Sequence, residues 1–493
     1  ELFGAKAEEG RPRRLNRLGL PSTMMRSPGA MILALPDRSI QATPALAQRS
    51  RPMSPMKGAA TTGTAPLTSA AWRWTLSIAE AIWDMKYRYK EADGTPVDLS
   101  VEDSWRRVAR ALSASEPERE SEFYAALEDF RFLPAGRILA GAGTGRTVSL
   151  FNCFVMGTVP DSMGGIFDML KEAALTMQQG GGIGYDFSTI RPKGSDVKGV
   201  AADASGPLSF MDVWDAMCRT IVSAGSRRGA MMATLRCDHP DIERFITAKQ
   251  TPGALTHFNL SVQVTDAFMQ AVETDAEWPL LFPADSLGDE ADGLPVTESA
   301  WPGREGRVKC RVLRSVSARA LWETITRNAY EAAEPGVLFV DTINRENNLG
   351  WREHISATNP CGEIPLPPWG GCVLGSVNVA HFIRSPFSDA ARLDRESLER
   401  MVQRAVRLLD NAIDLSHYPL PQQQAVMHES RRIGLGITAL AWSASTTVRL
   451  HRRPTRLLPG TRGAGIASGR TLALATAVAR SPIIGRVRRG AKR

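Results

Sequence analysis

The 493-residue sequence predicts an α/β fold that follows a small helical region. Strand-like and helix-like segments alternate between residues 148 and 442, a pattern typical of an α/β layer or barrel. Three segments before residue 148 instead carry apolar residues at helical spacing only. A hydrophobic content of 43% and a charged content of 23% are typical of a globular protein.

The first 147 residues divide into two parts. Residues 1–70 are rich in Pro, Arg, Ala, Thr and Ser without a sustained period, and we predict that they are disordered or non-native sequence. Residues 71–147 form the predicted helical region. Its helical segments are TSAAWRWTLSIAEAIWDMKYRYK, SVEDSWRRVARALSA and ESEFYAALEDF.

Residues 148–442 form the predicted α/β part. The strand SLFNCFVMGTV precedes a helix that Asp161 or Ser162 caps and Gly180 ends. The apolar stripe of this helix is predicted to be Ile166, Phe167 and Leu170. The later segments are the strand IGYDFSTIRP, the helix LSFMDVWDAMCRTIVSAG, the strand-led HFNLSVQVTDAFM and GVLFVDTINREN, and the amphipathic helix ESLERMVQRAVRLLDNAIDLS.

The glycine run QQGGGIG does not predict a dinucleotide site. It contains no G-x-G-x-x-G and follows a helix, whereas the dinucleotide motif opens one. Helix termination and close backbone packing explain these glycines better.

The basic character of the chain is concentrated in residues 443–493. That segment holds twelve Lys or Arg and no acidic residue, and without it the net charge of +8 becomes −4. One interpretation is a basic disordered tail, which could bind nucleic acid. The interpretation we favour is a shifted reading frame, because Arg, Ala, Gly and Pro dominate out-of-frame translation of a GC-rich gene. We therefore predict no nucleic-acid partner.

Cysteine usage and hydropathy exclude several classes of protein. The six cysteines form no C-x-x-C pair and no zinc-finger spacing, so we predict neither a disulfide scaffold nor a metal site. Cys218, Cys237 and Cys310 are predicted to be buried core thiols. There is no apolar run of eighteen residues and no signal-peptide pattern at the N-terminus, so we expect a cytoplasmic protein without a membrane partner.

The segment NPCGEIPLPPWGGC, residues 359–372, is the strongest candidate site. Its prolines exclude a helix, so it must be a loop, and its apolar content predicts that the loop is buried. In an extended chain Asn359, Cys361 and Glu363 would share one face. The competing interpretation is a proline-rich connector with an incidental cysteine.

The chemistry of this trio favours a thiol that does not react as thiolate. A carboxylate next to a thiol raises the thiol's pKa, and the nearest histidine in sequence is His354. Hydrogen-atom abstraction by a sulfur radical fits better. Glu363 could then accept a substrate proton while Asn359 holds a hydroxyl or carbonyl group.

The segment NPCGEIPLPPWGGCVLGSVNVA resembles the radical-cysteine loop of ribonucleotide reductases. The stretch SLFNCFVMGTVPDSMGGIFDMLKEAALTMQQGGGIGYDFSTIRPKGSDVKG resembles the adenosylcobalamin-dependent class II enzymes in particular. The resemblance spans roughly residues 75 to 441. It implies a ten-stranded α/β barrel, incomplete at the C-terminus, with the loop at its centre.

The resemblance also implies roles for individual residues. Cys361 would carry the thiyl radical that takes the 3′ hydrogen of the ribose, Glu363 would be the general base, and Asn359 would orient the ribose hydroxyls. Cys153 and Cys372 would form the reducing dithiol. From its position alone, Cys153 would have been assigned as a core thiol on a strand.

A second, allosteric site is implied for a deoxynucleotide or ATP effector. Asp161 and Ser162 lie at the predicted helix start, and Arg191 and Lys198 follow in the next loop. A helix N-terminus with nearby cations suits an anionic ligand in any protein. The alternative is that these residues form an ordinary helix cap and a solvated turn and bind no effector. The segment SAGSRRGAMMATL resembles the specificity loop, which makes Arg227 and Arg228 candidate contacts.

The implied protein is a vitamin B12-dependent ribonucleoside-diphosphate reductase with adenosylcobalamin as cofactor, a ribonucleotide substrate, a thioredoxin-type reductant and a homodimeric assembly. The pattern stops after RRIGLGITAL, so we expect this chain to be poorly stable and weakly active or inactive. Two alternatives remain: the large subunit of a class I reductase and a truncated, non-catalytic nucleotide-binding protein.

Overall fold

The computed structural model describes residues 77–197, 202–221, 229–388 and 390–440. Lys198, Arg227 and Arg228 lie outside the described residues. So do the segments 1–70 and 443–493, and the predictions made for them stay predictions. None of the helices within the described ranges is long and apolar enough to span a bilayer.

The predicted N-terminal helices are confirmed. The elements of this region are the helices α1 Ser77–Lys86, α2 Val101–Leu112, α3 Glu120–Leu127 and α4 Gly136–Gly141 and the strand β1 Phe132–Pro134. Helix α2 begins at a capping box, in which Ser100 and Asp103 each bond the other's backbone N–H. Trp105, Val108 and Leu112 of α2 are buried in the main core.

A buried ion pair fixes the turn before α2. Arg107 contacts Asp98 at 2.8 Å, and their side chains are only 9% and 3% exposed. Burial raises the pKa of Asp98, but hydrogen bonds from Arg107, Ser104 and the Tyr89 backbone outweigh burial and hold the pKa below its usual value. The carboxylate therefore stabilises the folded state above the unfolded-state pKa.

Replacing Asp98 with asparagine is expected to cost about 3 kcal/mol of unfolding free energy at pH 7, because Arg107 is left buried and unpaired. The unfolded chain takes up the proton first as the pH falls, so the difference from wild type should shrink below about pH 4. Urea unfolding across pH measures this. Glu120→Gln, which affects an exposed pair with Arg110, should change stability far less, and a pH-independent Asp98→Asn effect would contradict the account.

The α/β part begins at residue 153. Its helices are α5 Met163–Gln178, α6 Pro207–Thr220, α7 Ile242–Thr247, α8 Asp266–Thr274, α9 Ala318–Ala332, α10 Val340–Arg345, α11 Arg395–Leu415 and α12 Pro421–Ser430. Its strands are β2 Cys153–Thr158, β3 Gly182–Asp186, β4 Met231–Arg236, β5 Phe258–Val264, β6 Glu277–Pro283, β7 Val296–Ala300, β8 Arg307–Ser317, β9 Gly336–Phe339, β10 Ala357–Thr358, β11 Pro365–Leu366, β12 Val373–Asn378, β13 Ile383–Arg384, β14 Arg392–Leu393 and β15 Ile433–Thr438.

The central sheet is parallel and has the order β2-β3-β4-β5-β9. Helices connect its strands, so the predicted α/β class is confirmed. A second sheet, β1-β12-β15, contains a parallel pair between β12 and β15. Within the described ranges an isolated antiparallel bridge between Phe154 and Gly371 links β2 to the chain just before β12.

The predicted apolar stripe of helix α5 was wrong at one of its three residues, because Ile166 is buried and Leu170 packs against the main core but Phe167 does not. Ser162 caps the helix as predicted, by accepting a hydrogen bond from the Gly165 N–H. Phe167, however, is 47% exposed, and Met169 is buried beside Ile166 instead. A residue three positions after Ile166 lies on nearly the same face of a helix, whereas the next residue is turned away by about 100°.

Strands β6, β7 and β8 form an antiparallel sheet between α8 and α9 that the sequence analysis did not predict. This sheet has its own small core, which includes Phe282, Trp301 and Cys310. Cys218 and Cys237 are buried in the main core. The prediction that these three cysteines are core thiols is therefore confirmed.

Candidate active site

The candidate loop is a β-hairpin. Strands β10 and β11 pair with Ala357 opposite Leu366, and the chain reverses between them. The N–H of Gly362 donates to the carbonyl of Asn359 at 3.0 Å, and Gly362 has a φ of +81°. Our expectation of an extended segment was therefore wrong, because a glycine that adopts positive φ permits a tight turn.

The turn still brings together the amide and the carboxylate. Asn359 Nδ2 donates to Glu363 Oε2 at 2.6 Å, while Asn359 Oδ1 accepts from the N–H of Ile364 at 3.0 Å. Asn359 is 1% exposed, which fixes the amide. Cys361 and Glu363 are exposed at the tip, so the predicted burial holds for the base of the loop and not for its tip.

The hairpin lies across the face of the central sheet. It can approach the sheet closely because the residues beneath it are glycines without side chains. A Cβ added at Gly184 of β3 would stand 1.9 Å from the carbonyl oxygen of Thr358. A Cβ at Gly182 would meet Pro360 at 2.9 Å. The expectation that the glycine run serves close backbone packing is thus confirmed.

Polar side chains from the neighbouring strands hold the hairpin in place. Thr234 of β4 donates to the carbonyl of Ser356 at 3.1 Å. Asn259 of β5 donates to the carbonyl of Pro360 at 2.5 Å. Neither anchor was predictable from the sequence, because a threonine and an asparagine on strands carry no signal of their long-range partners.

The two other candidate cysteines meet at the edge of the sheet. Phe154 and Gly371 form an antiparallel bridge, and the Val155 N–H donates to the carbonyl of Gly370 at 2.8 Å. Extending that register by one residue places Cys153 opposite Cys372. Directly opposed residues of an antiparallel pair have Cα atoms about 5.5 Å apart or closer, which suits a disulfide.

Cys372 is a protonated thiol in this environment. Burial is the main cause that raises the pKa of Cys372, to about 12. The Glu363 carboxylate and an ionised Cys153 raise the pKa further, whereas Arg432 lowers it. Cys372 is therefore close enough to Glu363 and to Cys153 for their charges to affect its ionisation.

The predicted effector residues also come together, apart from Lys198. Arg191 Nε donates to Asp161 Oδ2 at 3.0 Å, and the backbone N–H of Arg191 donates to Asp161 Oδ1 at 3.1 Å. Ser162 caps α5 immediately beside them. The side chains of Arg191 and Asp161 are 21% and 20% exposed, so a ligand could reach the pair.

A cleft of about 590 Å³ lies beside the hairpin and contains none of the five predicted catalytic residues. Its lining includes Thr158, Pro160, Arg352, His354, Pro368 and Trp369. Within the described ranges no group of three or more His, Cys, Asp or Glu side chains could hold a metal ion.

The fold and the site define an α/β protein in which a parallel sheet carries a thiol-bearing hairpin across one face, next to a pair of opposed cysteines. The family model for the ribonucleotide reductase barrel domain matches residues 151–448, and the model for the all-alpha domain of ribonucleotide reductase matches residues 77–147. The chain belongs to the ribonucleotide reductase family.

Curated relatives agree with this assignment. The chain is 38% identical to the vitamin B12-dependent ribonucleoside-diphosphate reductase of Mycobacterium tuberculosis over 72% of this chain and 48% of the relative. It is 36% identical to the enzyme of the same name from Thermoplasma acidophilum, over 65% and 38% of the two chains. The chain is 31% identical to ribonucleoside-diphosphate reductase subunit alpha of Chlamydia pneumoniae, over 68% and 33%. The chain spans about half the length of the mycobacterial relative, or less for the others.

Proposed function

We propose that the chain carries the site of a vitamin B12-dependent ribonucleoside-diphosphate reductase, which converts ribonucleotides to 2′-deoxyribonucleotides for DNA synthesis. The observation that carries the proposal is the Cys361 hairpin seated next to the opposed Cys153 and Cys372. The B12-dependent relatives share 36–38% identity with the chain, against 31% for the subunit alpha protein. The class II assignment is therefore preferred to class I.

The proposed reaction begins at the exposed tip of the hairpin. A radical on Sγ of Cys361 takes the 3′ hydrogen atom of the ribose, which leaves a carbon radical and restores the thiol. Glu363 accepts the proton of the 3′ hydroxyl, and the 2.6 Å bond from Asn359 holds the carboxylate in place. The buried amide of Asn359 thus fixes the base on a rigid element.

The reducing step uses the opposed thiols. The 2′ hydroxyl takes a proton and leaves as water, and Cys153 and Cys372 together supply two electrons and two protons. One proton leaves in the water as the C2′–O bond breaks, the second proton and the two electrons form the new C2′–H bond, and an S–S bond joins the two sulfurs. Glu363 returns its proton to the 3′ oxygen. Cys361 then returns its hydrogen atom to C3′ and is again a sulfur radical, so the net change is one ribose reduced and one dithiol oxidised.

Adenosylcobalamin is the proposed cofactor. It can act on Cys361 only if the thiol is accessible from outside the protein. The thiol of Cys361 is exposed, and a Cβ added at Gly362 would meet no atom within 4 Å. These two residues fit a large external radical source and would lie against it. The chemistry that the cofactor supplies when bound is homolysis of its cobalt–carbon bond, the origin of the radical that Cys361 receives.

The proposal is tested by assaying the full chain with a ribonucleoside diphosphate, adenosylcobalamin and dithiothreitol. We expect deoxynucleotide formation that requires adenosylcobalamin and no second protein subunit. Turnover that requires a partner subunit would favour the class I alternative, and effector binding without turnover would favour a non-catalytic nucleotide-binding protein.

Asp161, Ser162 and Arg191 form the proposed effector site for a deoxynucleotide or ATP. Replacing Arg191 with methionine is expected to weaken effector binding by roughly 1.5–3 kcal/mol, or about 10- to 150-fold in Kd, because a charge-assisted hydrogen bond to phosphate is lost. Isothermal titration with deoxynucleoside triphosphates measures this. Arg314→Met is the matched control, because it removes an arginine of β8 from a half-exposed ion pair with Glu243 of α7. Equal affinities for the three proteins would exclude the site.

The remaining proposals concern assembly and organisation. The domain boundaries proposed are a helical region at 71–147 and a reductase barrel region at 148–442. A thioredoxin-type protein is the proposed reductant, because the Cys153–Cys372 disulfide must be reopened after each turnover. A homodimer is the proposed assembly, and Met163 and Phe167 offer exposed apolar surface on α5 for it, being 61% and 47% exposed.

A further inference from the structure

Arg432 lies next to Cys372 of the proposed dithiol and takes no part in the proposed ribose chemistry. Strand β15 pairs with β12 in parallel, with Ile433 opposite Val373. One residue earlier in the same register, Arg432 lies beside Cys372. Residues in register on neighbouring strands point to the same face of a sheet, so the guanidinium and the thiol share a face.

The orientation of Cys372 supports this placement. A Cβ added at Gly434 would stand 3.3 Å from Sγ of Cys372, so the sulfur points toward β15. Gly434 and Arg432 are two residues apart on the strand and therefore face the same way. The absence of a side chain at Gly434 leaves the sulfur open to Arg432 along that face.

A partly buried ion pair restrains the guanidinium. Arg432 pairs with Glu353, and their side chains are 19% and 9% exposed. Arg432 Nη1 donates to Glu353 Oε2 at 3.2 Å, and Asn347 donates to Glu353 Oε1 at 3.0 Å. The guanidinium is thus held at a position from which its charge acts on the Cys372 thiol.

The charges around Cys372 otherwise oppose ionisation. Burial raises the pKa of the Cys372 thiol to about 12 and Glu363 and Cys153 add to that effect, whereas Arg432, within the described part of the chain, lowers it. A thiolate formed at this sulfur therefore depends on the cation. Such a thiolate must form whenever a disulfide between Cys153 and Cys372 is reduced with Cys372 as the leaving group.

We propose that Arg432 is a positioning residue that stabilises the negative charge on Sγ of Cys372 while the Cys153–Cys372 disulfide is being reduced. This inference rests on the proposed function, because it requires the dithiol. The thiolate of the reductant attacks Sγ of Cys153 and forms a mixed disulfide. The Cys153–Cys372 bond breaks, and its electron pair remains on Cys372, which then takes a proton.

The second half of the exchange completes the balance. The other thiol of the reductant, as thiolate, displaces Cys153 from the mixed disulfide, and Cys153 takes a proton. The reductant dithiol ends as a disulfide and both cysteines end as thiols. A leaving thiol with a lower pKa departs faster, so the cation should act on the rate of the first step.

The test measures how fast excess dithiothreitol reduces the oxidised full chain, in a Cys361→Ser background that removes the exposed thiol. Peptide mapping by mass spectrometry first establishes that oxidation joins Cys153 to Cys372. Arg432→Met is expected to slow reduction by on the order of tenfold at pH 8, because the leaving thiolate loses its cation. Arg432→Lys keeps the charge and should reduce within about threefold of the parent.

The direction of the change separates this role from a structural one. A variant that merely loosens the fold admits the reductant and is reduced faster, so slower reduction by Arg432→Met supports the proposal. Equal or faster reduction overturns it while leaving the dithiol intact. If oxidation does not join Cys153 to Cys372, both the proposed dithiol and this inference fail. Arg314→Met controls for the loss of one positive charge elsewhere.

Discussion

Replacing Cys361 with serine is expected to abolish ribonucleotide reduction while the fold survives. The O–H bond of serine is stronger than the S–H bond of cysteine, so a serine cannot exchange hydrogen atoms with the ribose. Cys361 is exposed at the hairpin tip, so its side chain contributes little to the core. Deoxynucleotide formation with adenosylcobalamin and dithiothreitol measures the loss, and circular dichroism verifies the fold.

A second cysteine variant provides the control for this result. Cys310 is fully buried in the small sheet of β6, β7 and β8, and Cys310→Ala removes a thiol without touching the hairpin. This variant should keep the turnover of the parent, with only a modest loss of stability. If Cys361→Ser retained turnover comparable to that of Cys310→Ala, Cys361 could not be the radical carrier.

Replacing Gly184 with alanine is expected to displace the hairpin and lose both stability and turnover. The new Cβ would stand 1.9 Å from the carbonyl oxygen of Thr358, and that backbone must move. The strain should cost about 1–3 kcal/mol of unfolding free energy. A shift of the hairpin by about 1 Å would lower turnover by on the order of 100-fold, because Cys361 moves with it.

Gly164 on helix α5 is the matched control, because a Cβ added there would meet nothing within 4 Å. Gly164→Ala should leave turnover unchanged and stabilise the chain by about 0.5–1 kcal/mol, the usual preference for alanine in a helix. Urea unfolding and the same turnover assay measure both variants. A Gly184→Ala variant as stable and active as the parent would mean that the hairpin does not lie on β3.

Local patterns in the sequence predicted much of the fold. Apolar spacing and capping residues located α2, α5 and α11, because these signals lie within a single helix. The positive φ of Gly362 could not be predicted from the alternating spacing of Asn359, Cys361 and Glu363. Because of it, residues 359–363 form a turn and not the expected extended segment. The sheet of β6, β7 and β8 was missed as well.

The site was predictable only where a motif marked it. Asn359, Cys361 and Glu363 stood out by residue type and spacing. The pairing of Cys153 with Cys372 came from the resemblance alone, because a cross-strand contact between distant residues leaves no local trace. Arg432 and Asn259 were missed for the same reason, since each acts on a residue far away in the sequence.

The central claim is that the Cys361 hairpin and the opposed thiols act together as one reductase site. A single-turnover experiment tests it: the prereduced chain receives adenosylcobalamin and a labelled ribonucleoside diphosphate, with no reductant. We expect at most one deoxynucleotide per chain, with two of the six free thiols lost and mapped to Cys153 and Cys372. Absence of deoxynucleotide, or its formation while both of those thiols stay free, would contradict the account.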